Sequence, residues 1–93
     1  MIDAGSIRHI GLKGLVTKGR SKAVPQNLVK RIKNRLAVLE AMIEISDLPQ
    51  SYGAHELSGK RKGTWSIWVS GPWRITFKFK REAVIDLDLE QYH

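Results

Sequence analysis

A chain of 93 residues with 42% hydrophobic content makes one domain, with room for a single modest core and none for a second. A formal net charge of +7 favours contact with a polyanion: nucleic acid, an acidic membrane surface or an acidic protein. The lack of cysteine excludes a disulfide scaffold and cysteine-based zinc sites. No apolar run approaches the roughly 20 residues of a membrane span. Met1 to Ser6 lacks the basic start and apolar middle of a secretion signal, so the expectation is a soluble, cytoplasmic protein.

In chain order, Ser6 to Ile10 reads as a weak strand. Gly11 to Gly19 holds Leu12, Leu15 and Val16 at helical spacing, with Gly19 as a stop. Pro25 sits where first-turn prolines sit, because its missing N–H would be unpaired there anyway. Leu28, Val29, Ile32, Leu36, Leu39, Met42 and Ile43 then recur at three- and four-residue steps, which predicts a helix from about Gln26 to Ile45. Lys30, Arg31, Lys33 and Arg35 cover its first half, where positive charge opposes the helix macrodipole. That run is either a solvated face or a contact for an acidic partner or nucleic acid. Pro49 ends the segment.

Gln50 to Gly63 is polar and irregular, and carries His55 and Lys60-Arg61-Lys62. Thr64 to Phe79 alternates with period two on both sides of Ser70-Gly71-Pro72, the pattern of a half-buried hairpin. Trp65, Ile67 and Val69, then Trp73, Ile75, Phe77 and Phe79, are placed inward; Arg74, Thr76, Lys78 and Lys80 are placed outward. Glu82 falls in the next turn. Ala83 to Leu89 makes a last strand with Ile85, Leu87 and Leu89 inward and Asp86, Asp88 and Glu90 outward. The architecture expected is α+β, an antiparallel sheet covered on one face by two N-terminal helices, over residues 1–93 as one domain.

The chemistry narrows by elimination. His9, His55 and His93 are far apart and stand in no ligand motif, and outward Asp86 and Asp88 read as a solvated face, so no metal site or cofactor is expected. Phosphate loops and nucleophile elbows are absent. A set of His, Arg, Tyr and Lys near basic loops is left. Such a set suits metal-free cleavage of RNA. A base frees the ribose 2′-OH to attack phosphorus, a cation holds the phosphoryl charge, and an acid protonates the departing 5′-oxygen.

His55-Glu56-Leu57-Ser58-Gly59, Gly63-Thr64-Trp65-Ser66-Ile67-Trp68-Val69-Ser70-Gly71, Trp73-Arg74-Ile75-Thr76-Phe77 and the terminal Tyr92-His93 together resemble the HigB toxins. These are plasmid-maintenance killer proteins of the RelE/ParE superfamily. Gly11-Leu12-Lys13 and Lys18-Gly19 extend the resemblance over nearly the whole chain. It implies a microbial-RNase-like fold and a ribosome-dependent endoribonuclease acting on translated mRNA. It also implies a HigA-type helix-turn-helix antitoxin, through which alone operator DNA is bound, and no membrane. Residue by residue it implies His55, Arg74, Tyr92 and His93 as catalytic, the histidines sharing the base and acid roles in an unassigned order. Lys60 lies near the family's active-site lysine. Lys60, Arg61, Lys62, Thr76 and Lys78 are the candidate RNA-binding residues.

Two positions depart from the family pattern. Gln91 stands where the family has an acid, with Glu90 expected on the opposite face, which implies weakened activity. Pro72 replaces an asparagine in the hairpin turn, where Gly71 at positive φ still permits two residues. A ParE-like, non-enzymatic inhibitor of DNA gyrase is the alternative on the same scaffold. The combination of His55, Arg74, Tyr92 and His93 separates the two, since a protein-binding module does not need it.

Overall fold

The computed structural model describes residues 1–92. Helix α1 spans Ile10–Lys18 and helix α2 spans Val29–Ala41. Strands β1 (His55–Glu56), β2 (Thr64–Ser70), β3 (Trp73–Lys80) and β4 (Ala83–Gln91) form one sheet in the order β1-β2-β3-β4, every neighbouring pair antiparallel. The α+β architecture is the one the alternation and the apolar stripe predict. Leu12, Leu15, Ile32, Leu36 and Leu39 meet Ile67, Val69, Ile75 and Phe77 in one core, with Phe77 the largest side chain fully buried. The helices cover one face of the sheet and leave the other for polar residues.

Three expectations fail for local reasons. Ser6 to Ile10 is not a strand, because the His9 imidazole caps α1. Its Nδ1 accepts the N–H groups of Gly11 at 3.0 Å and Leu12 at 3.3 Å, and starts the helix at Ile10. The N-terminal segment meets the sheet through a parallel bridge, Ile2 with Val84, through Ser6 Oγ, which accepts the Asp86 N–H at 3.0 Å, and through the Arg8 N–H bonded to the Leu87 carbonyl. The second helix starts with a 3-10 turn at Gln26–Leu28 and ends at Ala41 instead of Ile45. The Asp47 carboxylate accepts the N–H groups of Ile43 at 2.8 Å and Glu44 at 3.1 Å, which also lowers its pKa, so the chain turns at Met42. Ile43 leaves the stripe and is exposed.

In β4 the inward set is Val84, Leu87 and Leu89, not Ile85. The register moves between Thr76 and Lys78, where Asp86 takes φ 53°, a backbone region in which Asp is tolerated better than most residues. The bulge lets an inward Val84 and an inward Leu87 coexist three residues apart. At the hairpin turn Gly71 has φ 55°, and Pro72 follows it without disturbing the closing pair Ser70–Trp73.

β1 reaches only Trp65 and Ser66, so the rest of that edge of β2 has no strand beside it. Two α2 side chains cover it instead. Arg35 donates to the Trp68 carbonyl at 2.8 Å and Arg31 to the Val69 carbonyl at 3.2 Å. Arg35 is 8% exposed, and its guanidinium lies 4.3 Å from the Tyr52 ring centroid. Burial pulls its pKa down, as for any desolvated cation. Arg35→Ala strands a carbonyl and unloads a ring face, and is expected to cost roughly 2–3 kcal/mol in urea denaturation. Arg31→Ala is expected to cost under about 1 kcal/mol in the same measurement.

The turn from β3 to β4 places Arg81 at φ 53° and Glu82 at φ 64°. Two consecutive positive φ values suit Asn-Gly, and each costs an ordinary side chain on the order of 1 kcal/mol. Arg81→Asn with Glu82→Gly is expected to raise stability by about 1 kcal/mol, read as a higher midpoint of thermal unfolding.

Candidate active site

The sheet face away from the helices has a polar floor that is itself buried. Ser66, Thr76 and Asp88 lie in register across β2, β3 and β4, with Arg74 and Glu90 paired one step further along. Ser66 is 0% exposed and Thr76 1% exposed. Thr76 was expected to point outward. It does belong to that face, but a hydrogen bond to Glu90 and its neighbours cover it.

Arg74 is held at several points. Its Nε donates to Ser66 Oγ, and its Nη2 donates to the Gly53 carbonyl at 3.1 Å, beside the Ser66 carbonyl at 3.5 Å. Among the described residues, Nη1 has no hydrogen-bond partner. His55, on β1 and in register with Ser66, brings Nδ1 within 3.4 Å of Arg74 Nη2 and 3.3 Å of the Gly53 carbonyl. Arg74 already has Gly53 as its nearer acceptor. Nδ1 accepts from Arg74 in one tautomer and donates to Gly53 in the other. His55 and Arg74, expected together from the sequence, are together.

The acid at this site is Glu90, not the residue at position 91. Gln91 pairs with Trp73, on the face opposite Arg74, and is exposed. Glu90 receives Arg61 through both terminal nitrogens, at 2.8 and 2.5 Å, and accepts the Thr76 hydroxyl. The hydrogen bonds from Arg61 hold the Glu90 carboxyl below the usual carboxylate range, and Glu90 in turn raises Arg61. The Tyr92 phenol adds to that rise from beside Arg61. Tyr92 is fixed by its own N–H, which donates to the Pro72 carbonyl at 2.8 Å. Pro72 thus tethers the end of the chain as well as making the turn. His93 lies outside the described residues.

Beyond Thr76 the face opens into a cleft of about 200 Å³. Of the RNA-binding candidates, Lys60, Arg61, Thr76 and Lys78 line it. Lys62 does not line it and stands exposed at the end of the Gly59–Arg61 turn. Arg8, Thr64, Asp86 and Asp88 complete the walls. Among the described residues, no three His, Asp or Glu side chains gather closely enough to hold a metal ion.

Sequence reading missed Ser66, Glu90, Arg8 and the Gly53 carbonyl. Only Glu90 left a signal, since inward Leu87 and Leu89 put residue 90 on the cationic face. Arg8 left none, because its position depends on the Leu87 bond and the His9 cap.

A family model described as the RelE-like toxin of the type II toxin–antitoxin system HigB matches residues 6–93. The chain is also 44% identical over 89 residues to a protein of Proteus vulgaris named Endoribonuclease HigB, covering 95% of this chain and 97% of that one. With the fold the resemblance implies, and with His55 and Arg74 side by side on the open face, the chain belongs to the HigB-like, RelE-like toxins of type II toxin–antitoxin systems.

Proposed function

We propose that this toxin is an endoribonuclease that cleaves mRNA on the ribosome at the Arg74 face. The immobilised Arg74 guanidinium beside the His55 imidazole is the observation that carries the reading. His55 Nε2 takes the proton of the ribose 2′-OH, and the oxygen attacks the adjacent phosphorus. Arg74, anchored through Nε and Nη2, offers Nη1 to the non-bridging oxygens as their charge grows. Its geometry is set before RNA arrives, so little reorganisation is needed in the transition state. The second proton, to the departing 5′-oxygen, comes from the Tyr92–His93 end of the chain. The products are a 2′,3′-cyclic phosphate and a 5′-hydroxyl.

Lys60, Lys62, Lys78 and Arg8 hold the neighbouring phosphates, while Thr76 and Glu90 keep Arg61 in place. The partner antitoxin is read as a HigA-type helix-turn-helix protein that alone contacts operator DNA. The relative's name, its nearly full-length match and the His55–Arg74 geometry support the reading.

Expression without antitoxin is expected to arrest growth and to fragment mRNA within reading frames. Growth arrest with intact mRNA would sink the nuclease reading in favour of a gyrase-type target. Arg74→Ala is expected to slow cleavage on the order of 10²–10³-fold, with circular dichroism unchanged. Arg74→Lys keeps the charge but not the fork, and is expected to recover little.

Glu90 gives a test in which stability and activity are linked. Its folded pKa is lowered from an ordinary 4.5. The stability it contributes is therefore complete above that value and is lost as pH falls through the lower folded one. Glu90→Gln is expected to flatten acid unfolding in that window and to reduce cleavage at neutral pH more than tenfold. Gln91→Asp, on the other face, is expected to change cleavage less than twofold.

A further inference from the structure

Trp68 stands on the open face and takes no part in holding Arg74. Ile67 and Val69 on either side of it are fully buried, so strand parity turns Trp68 outward beside its register partner Arg74. It is 39% exposed, and among the described residues it is the one aromatic in the set of large hydrophobic side chains left exposed. A single surface tryptophan is ordinary. This one is held still.

Its indole Nε1 donates to the Gly71 carbonyl at 3.1 Å, and its own carbonyl accepts Arg35 at 2.8 Å. The Arg31 guanidinium, bonded to the Val69 carbonyl, lies 6.0 Å from the ring centroid. The polar atom of the ring is thereby satisfied within the chain, so the indole offers a ligand its π surface alone. Arg31 also lines a depression of about 320 Å³ with Asn27, Lys30 and Asn34, all donors that suit a phosphate or a sugar.

Across the row from β2 to β4, Trp68, Arg74 and Glu90 present a ring, a cation and a paired acid. Directly opposed residues of an antiparallel pair keep their Cβ atoms about 5 Å apart. A base on a nucleotide whose phosphate meets Arg74 is therefore within reach of the indole. An apolar protein partner would gain one ring there and bury two guanidinium groups, which is costly. A nucleotide suits both, with its base on the ring and its phosphate on the cation.

We propose that Trp68 is a stacking platform for a nucleobase next to the scissile phosphate, a grip that does not depend on which base it is. This deepens the reading of the Arg74 face as the cleavage site and rests on it. The contact is made equally in the ground and transition states, so its loss falls on KM and spares kcat.

The test is cleavage of mRNA on programmed ribosomes, with KM and kcat measured separately. Trp68→Ala is expected to raise KM on the order of tenfold, with kcat within about twofold of the parent. Trp68→Tyr is expected to recover most of that loss, and Trp68→Leu, apolar but without a ring, none of it. Thermal unfolding confirms that each variant folds. With the unaltered toxin, an abasic nucleotide on one side of the cut is expected to raise KM by a similar factor and to cancel the difference from Trp68→Ala. An unchanged KM in Trp68→Ala overturns the proposal, and so does recovery by Trp68→Leu. A Trp68→Ala defect that persists with an abasic nucleotide on either side also overturns it, and puts the ring against the ribosome instead. Arg74→Ala that cleaves at the parental rate refutes the catalytic reading, while a Trp68→Ala defect cancelled by an abasic nucleotide keeps the stacking site.

Discussion

One buried guanidinium connects the helical layer to the face on which the catalytic proposal rests. Arg35 rises from α2, bonds the carbonyl of Trp68 and lies against Tyr52. Trp68 is the register partner of Arg74, and Tyr52 precedes Gly53, whose carbonyl accepts Arg74. A cation with no acid beside it is costly to bury, and here the backbone carbonyl and the ring face offset that cost. The gain is positional. Both segments that hold Arg74 are fixed from behind by a residue that never reaches the open face.

The floor under Arg74 follows the same logic. Ser66 and Thr76 are small hydroxyl residues, and each is satisfied by the charged group above it. A larger side chain at either position would lift that group; an apolar one of similar size would take the acceptor from Arg74 Nε at position 66 or a donor from the Glu90 carboxylate at position 76. No buried polar side-chain atom among the described residues lacks a partner. A network satisfied in this way is stiff, and in the proposed reaction a stiff cation lowers the reorganisation needed in the transition state.

Periodicity was enough to read the sheet and the long helix, because burial on one face enforces it. Thr64 to Phe79 alternates as the hairpin it forms, and Leu28, Ile32, Leu36 and Leu39 all reach the core. What periodicity cannot show is a side chain that competes for backbone groups. His9 turned an expected strand into a helix start, and Asp47 ended α2 a turn early. The β4 bulge escaped for a related reason, since a positive φ at Asp86 changes face parity without changing composition. Parity also decided the acid. Family pattern pointed to position 91, whereas the alternation of Leu87 and Leu89 had already put Glu90 beside Arg74. His55 and Arg74 were legible together only through the resemblance, because the Gly53 carbonyl that joins them has no mark in the sequence.

The charges on the open face are nearly balanced, and that bears on how RNA is held. Arg8, Lys60, Arg61 and Lys78 line the cleft against Asp86 and Asp88, and Glu90 takes up Arg61. Only a small positive excess is left. Two terminal N–H groups of Arg61 serve Glu90, which leaves three of its five donors for a phosphate. On the proposed reading the ion pair need not open for RNA to bind, and Arg61 cancels the charge of Glu90 toward a polyanion. A weak local field with fixed donors selects by geometry more than by attraction. Of the nine cations in residues 4–39, which hold no acid, Arg8 lines the cleft and Arg31 and Arg35 bond the β2 edge, which leaves six on the helical side. The larger cationic excess thus sits on the opposite side of the sheet from Arg74.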